Sequence, residues 1–164
     1  MQLAIASDHA GLKLKNRVID LLKQKGIEVK DFGTENNESV DYPDFGMQVA
    51  EAVSRGQMER GILLCGSGIG MSIVANKYRR VRAALCYDIQ TARLSREHND
   101  ANILVMGGRV LDEPKALEIV KTWLETEFEG GRHARRIKKI LEIENNNMHH
   151  PKVKPPNPPE AEER

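Results

Sequence analysis

Three aliphatic residues, Ile62-Leu63-Leu64, run into Cys65, and glycine then recurs at every second position in Cys65-Gly66-Ser67-Gly68-Ile69-Gly70. The aliphatic run has the character of a buried parallel strand, apolar on both faces. The glycines let the chain turn sharply and come close to a ligand, because they lack a Cβ. A helix-compatible segment through Ile73, Val74 and Ala75 follows, and the first amides of a helix have no intrahelical partner and attract an anion. The pattern sets a sulfur that can act as nucleophile or base at the mouth of an anion-binding loop. The loop lacks the Gly-Lys-Ser/Thr ending of a nucleotide P-loop, and its glycine spacing is one residue short of the dinucleotide fingerprint, which disfavours ATP and NAD. The plainer role for Cys65 is a small inert hydrophobe at a strand end.

Four other groups carry polar chemistry, and each has an ordinary structural role beside the functional one. Asp8-His9 follows the first apolar run; Asp there is commonly an N-cap, but both side chains would project into one cleft. His98-Asn99 ends a helical stretch, where a helix dipole favours histidine and where an imidazole can shuttle protons near neutrality. Gly107-Gly108-Arg109 follows another apolar run. Arg132 and Arg136 are four residues apart on one helical face, so both guanidiniums can reach one phosphate, or simply form a solvated basic face. The five histidines are scattered without a His-x-x-x-His pair, and the site reads as metal-free.

These groups must be positioned by alternating elements. Leu3 to Ala6, Ile27 to Lys30, Ile62 to Leu64, Val81 to Tyr87 and Ile103 to Met106 read as strands. Helical spacing links Leu14, Val18, Leu21 and Leu22; Phe45, Val49, Ala52 and Val53; residues from Ile89 to Arg96; Ala116, Val120, Trp123 and Leu124; and Ala134, Ile137, Ile140 and Leu141. Such alternation predicts a three-layer α/β fold, Rossmann-like in the flavodoxin manner, with a five-stranded parallel sheet, helices on both faces and an extra C-terminal helix. Ligands bind beyond the carboxyl ends of such strands, where the polar groups at Asp8, Cys65 and Arg109 fall. The 164 residues fit one domain, placed at 1–144, and a Pro- and Asn-rich tail at 145–164 reads as disordered. A net charge of +1 and a basic patch without aromatics disfavour nucleic acid and membrane surfaces. Two cysteines, without a disulfide framework or signal peptide, fit a reducing cytoplasm.

Taken together, Ser7-Asp8-His9-Ala10-Gly11, Asp41-Tyr42-Pro43, Cys65 to Gly70, Ala75-Asn76-Lys77, Ser95 to Asp100, Gly107-Gly108-Arg109 and Glu129 to His133 resemble the ribose-5-phosphate isomerase B family, which also contains galactose-6-phosphate isomerase subunits. The resemblance runs from Ala4 to Glu144. It implies a cofactor-free, metal-independent interconversion of an aldose phosphate and a ketose phosphate, typically ribose 5-phosphate and ribulose 5-phosphate. By the same resemblance Cys65 is the base moving a proton between C2 and C1, and Gly66, Ser67, Gly68, Ile69 and Gly70 form the loop that stabilises the enediolate. His98 opens the sugar ring with help from Asp8, and Tyr42 and Asn99 contact the substrate. His9, Arg109, Arg132 and Arg136 hold the phosphate. The resemblance further implies a homodimer or homotetramer with active sites shared between subunits. Ser67 stands where members most often have Thr, which keeps the hydroxyl. Met71 stands where a branch of the family carries a glutamate base, which leaves Cys65 as the candidate. A six-carbon sugar phosphate and a non-catalytic phosphosugar-binding module are the alternatives.

Overall fold

The computed structural model describes residues 1–147. The strands β1 (Gln2–Ser7), β2 (Glu28–Asp31), β3 (Arg60–Cys65), β4 (Ala83–Leu85) and β5 (Ile103–Gly107) form one sheet. All its pairings are parallel, in the order β2-β1-β3-β5-β4. The order matches flavodoxin's through the first three positions and exchanges the last two strands. The helices are α1 (Leu12–Gln24), α2 (Tyr42–Ser54), α3 (Ile69–Ala75), α4 (Ile89–Glu97), α5 (Glu113–Glu125) and α6 (Arg132–Asn147).

Side chains alternate across a strand, and the central strands are apolar in both phases. Leu3, Ile5, Ile62, Leu64, Leu104 and Met106 pack with α1 and α5 around Trp123. Ala4, Ala6, Leu63, Cys65, Ile103 and Val105 pack against Val49, Ala50, Met71 and Ala75 of α2 and α3. The smaller residues of β1 thus face α2, and the same alternation turns Cys65 toward α3. Met71 is fully buried in this second layer.

The register pairs Ser7 with Leu64 and Cys65 with Gly107, so the central strands end together. The chain leaves β1 for β2 on one side and returns to β3 on the other. That reversal opens a crevice at the carboxyl edge between β1 and β3.

Four expected boundaries move. β2 is displaced by one residue from Ile27–Lys30, and α3 opens at Ile69, so Gly70 belongs to the helix. The fourth strand shrinks from Val81–Tyr87 to Ala83–Leu85, because side chains take over its leading backbone groups. Asn102 Oδ1 accepts the Arg82 N–H at 2.7 Å, and Asn76 Oδ1 accepts that of Ala83 at 2.9 Å. The last helix continues through Asn147, three residues into the expected tail, since Glu144 accepts the Arg80 N–H (2.9 Å) and Asn145 accepts Arg79 Nη2 (2.7 Å). The rest of the expected tail, with His149 and His150, lies outside the described residues.

Candidate active site

At the end of β3 the pairing with β5 continues beyond both strands. Gly108 N–H donates to the Cys65 carbonyl at 2.8 Å and Arg109 N–H to the Gly66 carbonyl at 3.0 Å. This lays the Arg109 side chain over Gly66, where an added Cβ would sit 3.5 Å from Arg109 Cδ. The loop then turns back at Gly68, whose φ of +84° lies in the left-handed region that favours glycine. Its N–H donates to Cys65 Sγ at 3.1 Å. Ser67 Oγ accepts the Ile69 N–H at 3.2 Å, a local turn that tethers the hydroxyl. The N–H groups of Gly70 and Met71, in the first turn of α3, have no acceptor among the described residues and remain available to an anion.

Asp8 serves both readings of its position. Oδ1 accepts the Gly11 N–H at 3.0 Å, closing the turn into α1, and the residue also lines the cleft beside Cys65. His9 is held by its Nδ1, which accepts the Val40 N–H at 3.2 Å, so the ring proton resides on Nε2 and is free to be donated. The cleft, about 650 Å³, is lined by Asp8, Tyr42, Cys65, Gly66, Ser67, Ile69, Gly70, Ile73, Arg109 and Val110. Tyr42 packs across Gly70 so closely that a Cβ there would run into its ring.

His98, Asn99, Arg132 and Arg136 do not line this cleft. His98 caps the end of α4, and the segment after it is pinned by Asp100, which ion-pairs with Arg96 at 2.9 Å and Arg82 at 3.2 Å. Its ring stacks on His133 with centroids 4.1 Å apart and planes 9° from parallel. Arg132 and Arg136 stand exposed at the start of α6. One chain therefore presents two separate clusters, a thiol with amides, a carboxylate and Arg109 in one, and an imidazole pair with two arginines in the other.

The sequence places His133 only as the end of the Glu129 to His133 motif and gives it no role, whereas the fold buries it against His98. Glu129 Oε2 lies 3.5 Å from His133 Nε2. Burial, His98 and Arg132 hold the His133 imidazole below its ordinary range, and Glu129 pulls the other way. Where spacing alone suggests no metal-ligand set, the fold brings ligand atoms of His98, Glu129 and His133 within 4.8 Å of one another. The surroundings of this trio suit an anion better than a cation. Arg132 Nε donates to the same His133 Nε2 at 3.4 Å, and the group sits at the positive end of α6.

The model of the ribose/galactose isomerase family matches residues 3–140. The chain belongs to this family. Among solved structures, ribose-5-phosphate isomerase B of Clostridium thermocellum superposes with a TM-score of 0.88 at 58% identity, over 90% of this chain and 99% of that one. Ribose-5-phosphate isomerase B of Escherichia coli is 45% identical over 87% of this chain and 96% of its own length. D-erythrulose-4-phosphate isomerase of Pectobacterium atrosepticum is 43% identical over 91% of this chain and 99% of its own. This member of the ribose/galactose isomerases is thus a sugar-phosphate isomerase. No helix among the described residues is long and apolar enough to cross a membrane.

Proposed function

We propose that the chain interconverts ribose 5-phosphate and ribulose 5-phosphate without a metal, Cys65 moving the proton between C2 and C1 through an enediolate. The observation that carries this reading is the Gly68 N–H on Cys65 Sγ, at the mouth of a cleft that also holds Asp8 and Arg109. A thiol is a weak base until it ionises, and a backbone N–H aimed at sulfur interacts more strongly with the anion than with the neutral thiol. The free amides of Gly70 and Met71 suit the enediolate oxygen; one such preorganised donor is worth about 3–4 kcal/mol in the transition state. Arg109 fits the phosphate, with His9 Nε2–H as a second donor.

The ring-opening acid, His98, and the remaining phosphate ligands, Arg132 and Arg136, then come from a second copy of the chain, as a homodimer or within a tetramer. Two features support this assembly. The rim of the Cys65 cleft exposes Ile69, Ile73 and Val110. On α6, only His133 is buried, while Ile140 and Ile143 face outward. Apolar side chains around a polar cleft and along an unpartnered helix are surfaces that another subunit covers.

The similarity to an isomerase named for erythrulose 4-phosphate favours a second reading, in which the sugar has four carbons. A six-carbon phosphate is a third candidate substrate. Comparison of kcat/KM on ribose 5-phosphate, erythrulose 4-phosphate and allose 6-phosphate tests the choice: highest on ribose 5-phosphate if the proposal holds. The mechanism is tested by Cys65→Ala, which should abolish solvent exchange of the C2 proton while binding persists, and by excess chelator, which should leave turnover unchanged. Turnover retained in Cys65→Ala would remove the thiol from the reaction.

A further inference from the structure

We infer that Tyr87 is a positioning residue for Cys65, acting through the single peptide unit between Ser67 and Gly68; the catalytic consequence rests on the proton-transfer reading above. That peptide is held at both ends. Its N–H donates to Cys65 Sγ at 3.1 Å, and its carbonyl accepts the Tyr87 hydroxyl at 3.5 Å. The hydroxyl bond is long, at the outer limit of hydrogen-bond geometry. The carbonyl also lies against β5, where a Cβ on Gly107 would come within 2.6 Å of Ser67 O.

The unit needs such a hold. Gly68 has φ +84°, and a peptide preceding a glycine can rotate as a plane because no Cβ blocks either orientation. Rotation would turn the N–H away from sulfur and bring the carbonyl oxygen toward it, exchanging attraction for repulsion once the thiolate forms. A phenol donor on the carbonyl opposes that rotation, and by polarising the amide it strengthens the N–H bond to sulfur. Tyr87 is itself firmly placed. Before it, Cys86 N–H donates to the Val105 carbonyl at 3.0 Å. After it, Asp88 and Thr91 exchange hydrogen bonds in a capping box that opens α4. The other titratable or charged groups facing Cys65 are Asp8 from the end of β1, Tyr42 from the start of α2 and Arg109 after β5. None of them reaches the Ser67 carbonyl.

Tyr87→Phe removes the hydroxyl and keeps the ring. Two measurements on the full-length protein test the inference: the pH dependence of Cys65 alkylation by iodoacetamide without substrate, followed on the Cys65 peptide by mass spectrometry, and steady-state kinetics on ribose 5-phosphate. The loss of one modest hydrogen bond predicts alkylation at neutral pH slowed about three- to tenfold, its profile moved to higher pH, and kcat lowered by a similar factor at unchanged KM. Coincident alkylation profiles would overturn the inference, and so would a raised KM at unchanged kcat, which would make Tyr87 a substrate contact. Because alkylation needs no sugar, a displaced profile in a protein that turns over none of the sugars tested would uphold the positioning role and refute the substrate reading alone.

Discussion

A mixture of two dead proteins should be alive. Cys65→Ala and His98→Asn each remove one partner of the proposed acid and base, and loss of such a group costs about 10²- to 10⁴-fold. Cys65 and His98 lie apart on one chain, and in the proposed symmetric dimer each site takes Cys65 from one subunit and His98 from the other. In a mixed dimer both lesions fall on the same site, and the second site is wild type. Random reassortment of equal amounts makes half of the dimers mixed, with one intact site in each, so about a quarter of wild-type activity returns. Exchange needs mild denaturation and refolding together, because covering five aliphatic side chains that are about half exposed, Ile69, Ile73, Val110, Ile140 and Ile143, stabilises the dimer by roughly 1 kcal/mol each. The assay must run from ribose 5-phosphate to ribulose 5-phosphate. The ketose cannot close a five-membered ring once its terminal oxygen is esterified, so the reverse direction would not report on His98. A mixture as inactive as its parents, with mixed dimers verified by two affinity tags, would refute the crossing of the site between subunits.

Three further outcomes follow from the single chain. Gly68→Ala forces a side chain into the left-handed region and brings its Cβ 2.5 Å from Leu85 Cδ1 and 3.0 Å from the Met106 carbonyl carbon, so thermal unfolding should show a loss of about 1–2 kcal/mol or more, with kcat lowered because the N–H leaves the sulfur. Lys15, 1% exposed, bonds both Asp31 oxygens at 2.8 Å and the Thr34 carbonyl at 2.6 Å; Lys15→Met should cost about 2–3 kcal/mol in denaturant unfolding, below the full value for a buried pair because Asp31 remains partly in water. Burial pushes the Cys86 thiol up to about 11, against hydrogen bonds from Ser95 and Thr91. Its folded value exceeds its unfolded one, so this contribution is complete below about pH 8.5 and is lost as pH rises through about 11; Cys86→Ala should flatten the fall in stability over that window relative to wild type, and identical slopes would count against it.

What the sequence makes legible is local and periodic. The run Ile62-Leu63-Leu64-Cys65 reads as a buried strand because both phases are apolar, and the fold uses both, one toward Trp123 and one toward α3. The glycine loop reads as an anion site because glycines permit close approach and a helix start follows, and the fold leaves the Gly70 and Met71 amides without acceptors among the described residues. The strand ends at Asp8, Cys65 and Arg109 meet because parallel register aligns them, a consequence of topology that alternation alone implies. The misses share a different origin. β4 shortens because Asn76 and Asn102 substitute side-chain acceptors for a neighbouring strand, and no periodicity announces that competition. The His98–His133 stack joins residues 35 positions apart, and the hold of Tyr87 on Ser67 spans 20; both are long-range contacts between polar groups, which leave no apolar pattern to read. The division of the site has the same cause. Arg132 and Arg136 are ordinary exposed arginines on one chain, and the phosphate role proposed for them needs a second copy, which no pattern within one chain announces.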